Sequence, residues 1–448
     1  MLHDVRQPDS YVDHLMALGP KYGVSTFEDV RNQQGAVVVP QGKSLNKDLT
    51  ERIITHKLIK PLETSVLLDG GLTAQQLFRF YAQSLKNNAD YGLFHESWQL
   101  HRLLIKACKY FEQFPLLVQK MTVMRERLPN VFEQGLFTAY ISMAIAFRMG
   151  ASRQDCLNVF IAGLVHDVGM LHIDPAIIEK RDDYTTEEWR SMQAHTVIGH
   201  CILRYVKGLP KSVGTAVLEH HERYDGSGYP LAKRGSDLGM IGQILGMADT
   251  CFALYQKELR PKGLGFDALL PILQLNPGMY CRKVFKAVIE LIQKVNWPLR
   301  RVYQNAQIPK LISRLLLDNE SINHDYCVLY GIVMSLRQES MSDHQVQNVI
   351  NMGDRINRCL LSSGMLQSEH GEWMRKSCKG DAEDDYIAIE RLEIMYREMK
   401  WQIKQLKRMI YGLWKHYRFK RSNLRALIRQ GLLEIEHYHK ASRRSALH

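Results

Sequence analysis

From residue 95 to residue 297, apolar side chains recur every three or four positions in one run after another, broken only by short polar loops such as "RMGAS", "IDPAIIEKRDDYT", "KGLPKS" and "DGSGYPLAKRGS". That period marks amphipathic helices, and a chain repeating it over so long a stretch can bury its apolar faces only by packing helix on helix. The spacing predicts a mainly α fold with a central helical bundle. Strand-like patterning is confined to residues 25–62. There the β-branched run of "GAVVVPQGKSL" meets a Pro-Gln-Gly turn, and "DLTERIITHK" reads as a helix, together a small α+β module. Thr73 stands where the helix in "GGLTAQQLFRFYAQSL" needs its N-cap.

A chain of 448 residues exceeds what one core ordinarily organises. The expected division is an N-terminal α+β module over 1–85, a helical domain over 90–297 and a helical C-terminal region over 298–448. Asn296-Trp297-Pro298 sets the last boundary, because proline disfavours helical geometry in the residue before it. With 45% hydrophobic and 24% charged residues the chain matches soluble globular proteins, which excludes wholesale disorder. No apolar run reaches the roughly 18 residues of a spanning helix, and "MLHDVRQPDS" lacks the basic and apolar regions of a secretory leader. A cytoplasmic protein, associated with membranes at most peripherally, is expected. The scattered cysteines contain no CxxC pair and read as reduced packing thiols. The net charge of +12 favours encounter with polyanions.

Beyond residue 385, Ile389, Leu392, Tyr396, Met399, Ile403, Leu406, Ile410, Leu413 and Tyr417 step by threes and fours, the heptad seam of a long helix. The seam reads two ways: a helix lying on its own protein, or a coiled coil that pairs two chains through 389–417. Residues 400–430 overlap it with ten Lys or Arg, no Asp or Glu, and interleaved Trp401, Tyr411, Trp414, Tyr417 and Phe419. That composition suits an anionic membrane surface or RNA, and equally a packed helix with a solvated basic face.

Chemistry concentrates in four segments, "AGLVHDVGMLHIDP", "MQAHTVIGHCIL", "AVLEHHERYDGSGYP" and "ILGMADTCFAL". Each puts His or Asp at or beside the end of a helix-like run: His166 and Asp167, then His195, then His220 and His221, then Asp249. The intervals of 29, 25 and 28 residues suit neighbouring helices of a bundle. Imidazole and carboxylate suit iron, manganese or zinc, and the thiolates of a structural zinc site are absent from these segments. Adjacent helical residues project about 100° apart, so a His-Asp or His-His pair can serve two ions with a carboxylate between them. Two such ions would hold a phosphodiester and lower the pKa of a water, giving hydroxide for in-line attack. His172 and His200 read as packing residues.

"HDVG", the spaced His195, "HHERYDGSGYP" and "MAD" resemble the HD-GYP branch of the HD-domain phosphohydrolases, bacterial enzymes that hydrolyse cyclic di-GMP. The resemblance covers about residues 125–275, and the six-residue element Asp225, Gly226, Ser227, Gly228, Tyr229, Pro230 is its most specific part. It implies His166, Asp167, His195, His220, His221 and Asp249 as ligands of two or more divalent metals, with iron or manganese favoured and zinc also compatible. Asp167 takes the bridging role and, with His166, the catalytic one. The resemblance also implies Lys180, Arg260 and Lys262 as contacts for the phosphates of a cyclic dinucleotide. A turn permitted by the loop's glycines would present Tyr229 and Pro230 at the surface to a ligand or a signalling partner.

Two positions depart from the family. Gln134 falls where a further histidine ligand is usual, with Asn130 one turn earlier where some members have a carboxylate, and a neutral amide is the poorer ligand. Met170 replaces the lysine of His-Asp-x-Gly-Lys and removes a charge able to meet phosphate. The expectation is a metal-dependent cyclic di-GMP phosphodiesterase. The alternative is a catalytically degenerate domain that binds a nucleotide or partner and regulates.

Overall fold

The computed structural model describes residues 10–445 apart from 181, 183, 338–342, 366, 378–382 and 420–422. They form two compact units. The first comprises residues up to Tyr224 with Gly228–Ala253 and Lys283–Asn296; the second comprises Asp225–Ser227, Leu254–Arg282 and the chain from Trp297 onward. The stretch 254–282, read from the sequence as part of the central domain, is thus grouped with the second unit. Architecture is mainly α, as the apolar period predicts.

The first unit begins with α1 (Ser10–Tyr22), followed by β1 (Val24–Thr26), β2 (Val30–Arg31), β3 (Val37–Val39), α2 (Lys47–Ile54) and β4 (Val66–Leu68). β1 pairs antiparallel with β4, Val24 opposite Leu68, and β2 with β3, Val30 opposite Val39. The strand β4 lies just past the stretch that reads as strand, being too short for alternation to show. Asn46 caps α2, its side chain accepting from Leu49 N–H.

Helices then follow without interruption: α3 (Ala74–Asn87), α4 (Ala89–Trp98), α5 (His101–Phe111), α6 (Pro115–Arg127), α7 (Pro129–Arg148) and α8 (Arg153–Leu164). Thr73 caps α3 in a reciprocal box with Gln76. α7 is buried from Gly135 to Ala146 on every side, as expected of a helix at the centre of a bundle. It can approach α8 closely because a β-carbon on Gly163 would come 2.6 Å from Ala139 Cα. Past α8 come a 3-10 turn (Val168–His172), α9 (Pro175–Ile178), α10 (Thr186–Gln193), α11 (His195–Leu203), α12 (Lys211–Glu219), α13 (Met240–Leu254), α14 (Leu269–Gln274) and α15 (Arg282–Gln293).

In the second unit α16 (Ile308–Leu336), α17 (His344–Ser363), α18 (Ser368–Ser377), α19 (Glu383–His416) and α20 (Leu424–Ser445) share one apolar core. The seam residues Ile389, Tyr396, Met399, Ile403, Leu406, Ile410 and Leu413 are buried in it beside Leu329, Val333, Val349, Ile356 and Ile428. The heptad spacing therefore packs α19 against its own chain, and the dimer reading loses the apolar seam it needs. Among the described residues, no helix is long and apolar enough to cross a membrane.

Candidate metal centre

Six helices and turns deliver the candidate ligands to one place. α8 ends at Leu164, and His166 and Asp167 occupy the turn beyond it, Asp167 standing at the N-cap of the Val168–His172 turn. His195 opens α11, His220 and His221 follow the last turn of α12, Asp249 lies within α13, and Gln134 projects from the first half of α7. Gly169 lets the 3-10 turn sit against α11. A β-carbon there would fall 2.0 Å from the His195 carbonyl oxygen, so no other residue fits without moving backbone.

The geometry centres on Asp167. Its Oδ1 lies 3.3 Å from His195 Nε2 and 3.7 Å from His220 Nε2, while its Oδ2 lies 3.2 Å from His166 Nε2 and accepts from Gln134 Nε2 at 3.2 Å. Asp249 Oδ1 is 3.7 Å from His166 Nε2 and accepts from Gln134 at 2.8 Å. One carboxylate thus faces two sets of nitrogen, one through each oxygen. Ligand atoms of Asp167, His195, His220 and His221 lie within 4.8 Å of one another.

Three of the imidazoles are oriented from behind. The Nδ1 atoms of His166, His195 and His220 hydrogen-bond the carbonyls three residues earlier, Gly163 at 2.8 Å, Met192 at 2.5 Å and Val217 at 2.6 Å. Nδ1–H donation of this kind fixes the tautomer of a neutral ring and turns Nε2 inward, the usual support of a metal-ligating histidine. The Nε2 atoms of His195 and His220 then face each other at 3.3 Å, two lone pairs that repel unless a cation lies between them.

Charge follows the same layout. Burial first, then the neighbouring His220, lowers the His195 pKa to about 4 against the pull of Asp167, so its ring is neutral. Burial and the adjacent His220 hold His221 well below the usual imidazole range. His166 behaves oppositely: burial disfavours its charge, but Asp167 and Asp249 raise it well above the ordinary value. Burial likewise works against the Asp167 and Asp249 carboxylates, and the surrounding imidazoles, His166 foremost, hold both below the carboxylate range.

These residues fit a divalent cation. His166 Nε2 and Asp167 Oδ1 are buried without a hydrogen-bond partner, which costs roughly 1–3 kcal/mol each unless an ion takes the place of the donor. The donor set is imidazole and carboxylate throughout, with no thiolate. The amide of Gln134 sits beside both aspartates, as its alignment with the missing histidine predicts, but it presents N–H rather than a lone pair.

The loop after α12 leaves Tyr229 and Pro230 partly exposed. The Tyr229 ring stacks on His221 with centroids 4.7 Å apart, and burial raises its hydroxyl pKa. Gly228 has no room for a side chain, since a β-carbon would meet Arg223 N, Glu222 Cα and His221 O at 2.4 Å. Tyr224 and Leu231 are the exposed apolar residues flanking the element. In the second unit, Asp225 accepts from Ser227 N–H and Oγ and lies 3.3 Å from the buried Arg355 guanidinium.

Two glutamates outside the candidate ligand set hold this loop. Glu222 accepts from Leu231 N–H at 2.6 Å and Lys233 N–H at 3.1 Å, and Glu219 accepts from Gly239 N–H and the Lys233 ammonium. Their signal was available: both are acidic residues beside the two histidines, in a segment otherwise buried. Of the remaining candidates, Lys180 is bound by both oxygens of Glu188, while Arg260 and Lys262 bond Gln256 and Glu258 one turn earlier. Met170 is partly exposed on the 3-10 turn, its N–H donating to the Asp167 carbonyl. His200 Nδ1 bonds the Gly214 carbonyl and His172 Nε2 lies 3.0 Å from the Lys120 ammonium, both away from the cluster's own contacts.

Comparison with known proteins agrees with this geometry. The HD domain family matches residues 117–282, and such a domain implies divalent metal binding. A cyclic di-GMP phosphodiesterase of Thermotoga maritima is 32% identical over 36% of this chain and 45% of that protein. The 3'3'-cGAMP-specific phosphodiesterase 3 of Vibrio cholerae is 31% identical over 30% of this chain and 28% of that protein. The cyclic di-GMP phosphodiesterase response regulator RpfG of Xanthomonas campestris pv. campestris is 29% identical over 31% of this chain and 37% of that protein. The chain thus spans less than half the length of each of these relatives. All three of these relatives are cyclic dinucleotide phosphodiesterases, and residues 117–282, which hold the DGSGYP element and the His/Asp cluster, match the HD domain family.

Proposed function

We propose that the chain is a metal-dependent phosphodiesterase that hydrolyses a cyclic dinucleotide, cyclic di-GMP before 3'3'-cGAMP. The observation that carries this reading is the double exposure of Asp167, one oxygen toward His195 and His220 and the other toward His166. His166, Asp167, His195, His220, His221 and Asp249 would hold two or more ions, with Asp167 shared. The mixed imidazole and carboxylate set suits iron or manganese best and also accommodates zinc. When bound, such ions supply a water of lowered pKa and neutralise charge on phosphate.

The protein's own residues do the rest. Carbonyls behind His166, His195 and His220 hold the three rings with Nε2 turned inward, and burial keeps His195 neutral at physiological pH. Tyr229 closes over His221 and limits water on that side. Lys180 and Lys262 hold acidic partners through partly exposed ion pairs worth about 0–1 kcal/mol, which phosphate oxygens can replace; Arg260 is the third proposed phosphate contact. Tyr224 and Leu231, more exposed than Tyr229, offer apolar contacts to a signalling partner at this loop. On α19, exposed Trp401, Lys404, Tyr411 and Lys415 share one face, whose basic and aromatic character suits an anionic membrane surface or RNA.

The test is elemental analysis of protein purified without oxygen, followed by incubation with each cyclic dinucleotide under iron or manganese. Linear product that disappears in Asp167→Asn supports the reading. Tight nucleotide binding with no product returns the regulatory alternative. Chelation should lower the melting temperature, since an ion present at a hundred times its dissociation constant stabilises by about 2.7 kcal/mol.

A further inference from the structure

The turn that begins at Asp167 ends in a buried charge cluster. Lys120 of α6 is wholly buried, its Nζ 3.3 Å from Glu63 Oε1, 3.0 Å from His172 Nε2 and 3.1 Å from the centre of the Tyr11 ring. The His172 ring stacks on Tyr11, with centroids 5.1 Å apart and planes 16° from parallel. Gln119 Nε2 donates to Tyr11 Oη at 3.0 Å and to the Glu63 carbonyl at 3.4 Å. An ammonium carries donors only, so His172 Nε2 accepts and its ring proton resides on Nδ1.

Desolvating an ammonium and a carboxylate is costly, and apolar side chains of the same volume would pack here at no such cost. What the charged arrangement adds is direction. It fixes Tyr11 of α1 and Glu63 of the short turn Leu62–Thr64 to His172, the last residue of the Val168–His172 turn. That turn is one hydrogen-bonded piece: Met170 N–H donates to the Asp167 carbonyl at 2.9 Å and Ile173 N–H to the Met170 carbonyl at 3.1 Å. Its near end carries Asp167, and Gly169 presses it against the His195 backbone. A displacement of His172 therefore has little slack to absorb it before Asp167 moves.

We propose that Lys120 is a positioning residue for the metal centre, the latch through which the N-terminal module holds the turn that carries Asp167. The proposal rests on the reading of Asp167 as a shared ligand. Loss of the latch lets the turn shift, so metal affinity and turnover fall while substrate affinity does not. By the same route, movement of the N-terminal module alters the centre without touching it.

The experiment compares full-length wild type, Lys120→Met and the double variant Glu63→Gln with Lys120→Met, by Mn2+ titration with electron paramagnetic resonance, thermal melting and turnover of cyclic di-GMP and 3'3'-cGAMP. Lys120→Met should weaken Mn2+ binding about tenfold or more, the range for residues that orient ligands, and lower kcat similarly with KM within about twofold. The double variant, freed of the unpaired carboxylate, should regain thermal stability without regaining Mn2+ affinity. A Mn2+ dissociation constant within about twofold of wild type in either variant overturns the proposal, and the double variant carries the test if Lys120→Met does not fold. Wild type that binds Mn2+ but hydrolyses neither dinucleotide defeats the phosphodiesterase reading and leaves the Mn2+ comparison valid. Wild type that binds no Mn2+ defeats both.

Discussion

Gln134 and Asp249 are joined by a hydrogen bond of 2.8 Å, and the same amide reaches Asp167 at 3.2 Å, so α7 ties together two of the candidate ligands. An amide N–H occupies lone pairs that a metal would use, whereas an imidazole would add one. Gln134→His should raise metal content and tighten binding at the weaker position by about tenfold. Unchanged metal stoichiometry in a folded Gln134→His protein would count against the placement of this residue at the centre.

Met170 lies three residues past Asp167 on the 3-10 turn, partly exposed, and brings a thioether where a cation could meet developing phosphate charge. Met170→Lys should raise kcat by about tenfold or more, with a smaller change in KM, because the added charge acts mainly on the transition state. Steady-state kinetics with cyclic di-GMP checks it; a fall in KM alone would place the lysine in ground-state binding.

Gly169→Ala tests the contact between the Asp167 turn and α11. The new methyl group would meet the His195 carbonyl oxygen at 2.0 Å and Gly199 N at 2.9 Å, both backbone atoms that have no rotamer to yield. The expected cost is about 3 kcal/mol of stability together with weakened metal binding, since relief requires Asp167 and His195 to separate. Denaturant unfolding and Mn2+ titration on the same sample measure both.

Glu126 anchors α1 to α6 by accepting from Lys21 Nζ and Tyr22 Oη at 2.8 Å each. The Lys21 hydrogen bond, then Tyr22 and Arg125, lower its pKa from 4.5 to about 2. A depressed carboxylate pKa adds stability above the unfolded value of 4.5 and loses it as pH falls toward 2. Glu126→Gln should therefore melt about 2 °C lower at pH 7, with the gap closing between pH 4.5 and 2. A gap that stays constant over that range would assign the loss to packing.

Much of the centre was legible before folding because its ligands sit at helix ends, where residue type and interval along the chain both carry information. His166, Asp167, His195, His220, His221 and Asp249 could be named as one set from four short segments, and Gln134 from its alignment with them. The buried Lys120 cluster could not. Tyr11, Glu63, Lys120 and His172 share no motif, and an isolated lysine within an apolar helix reads as solvent-facing until its neighbours are known. The stacking of Tyr229 on His221 was hidden for a related reason: glycines show that a tight turn exists but not which face of it turns inward.

Periodicity alone determined that this chain is mainly helical, with a small α+β start and a long C-terminal helix, because helical burial repeats every three or four residues whatever lies opposite. Tertiary structure decided what lies opposite. It turned the heptad seam of α19 inward against α16, α17 and α20, and it pointed the two oxygens of Asp167 toward different histidines. The reason is physical: backbone and solvent set the local period, whereas the direction of a side chain is fixed only by which distant surfaces exclude water together.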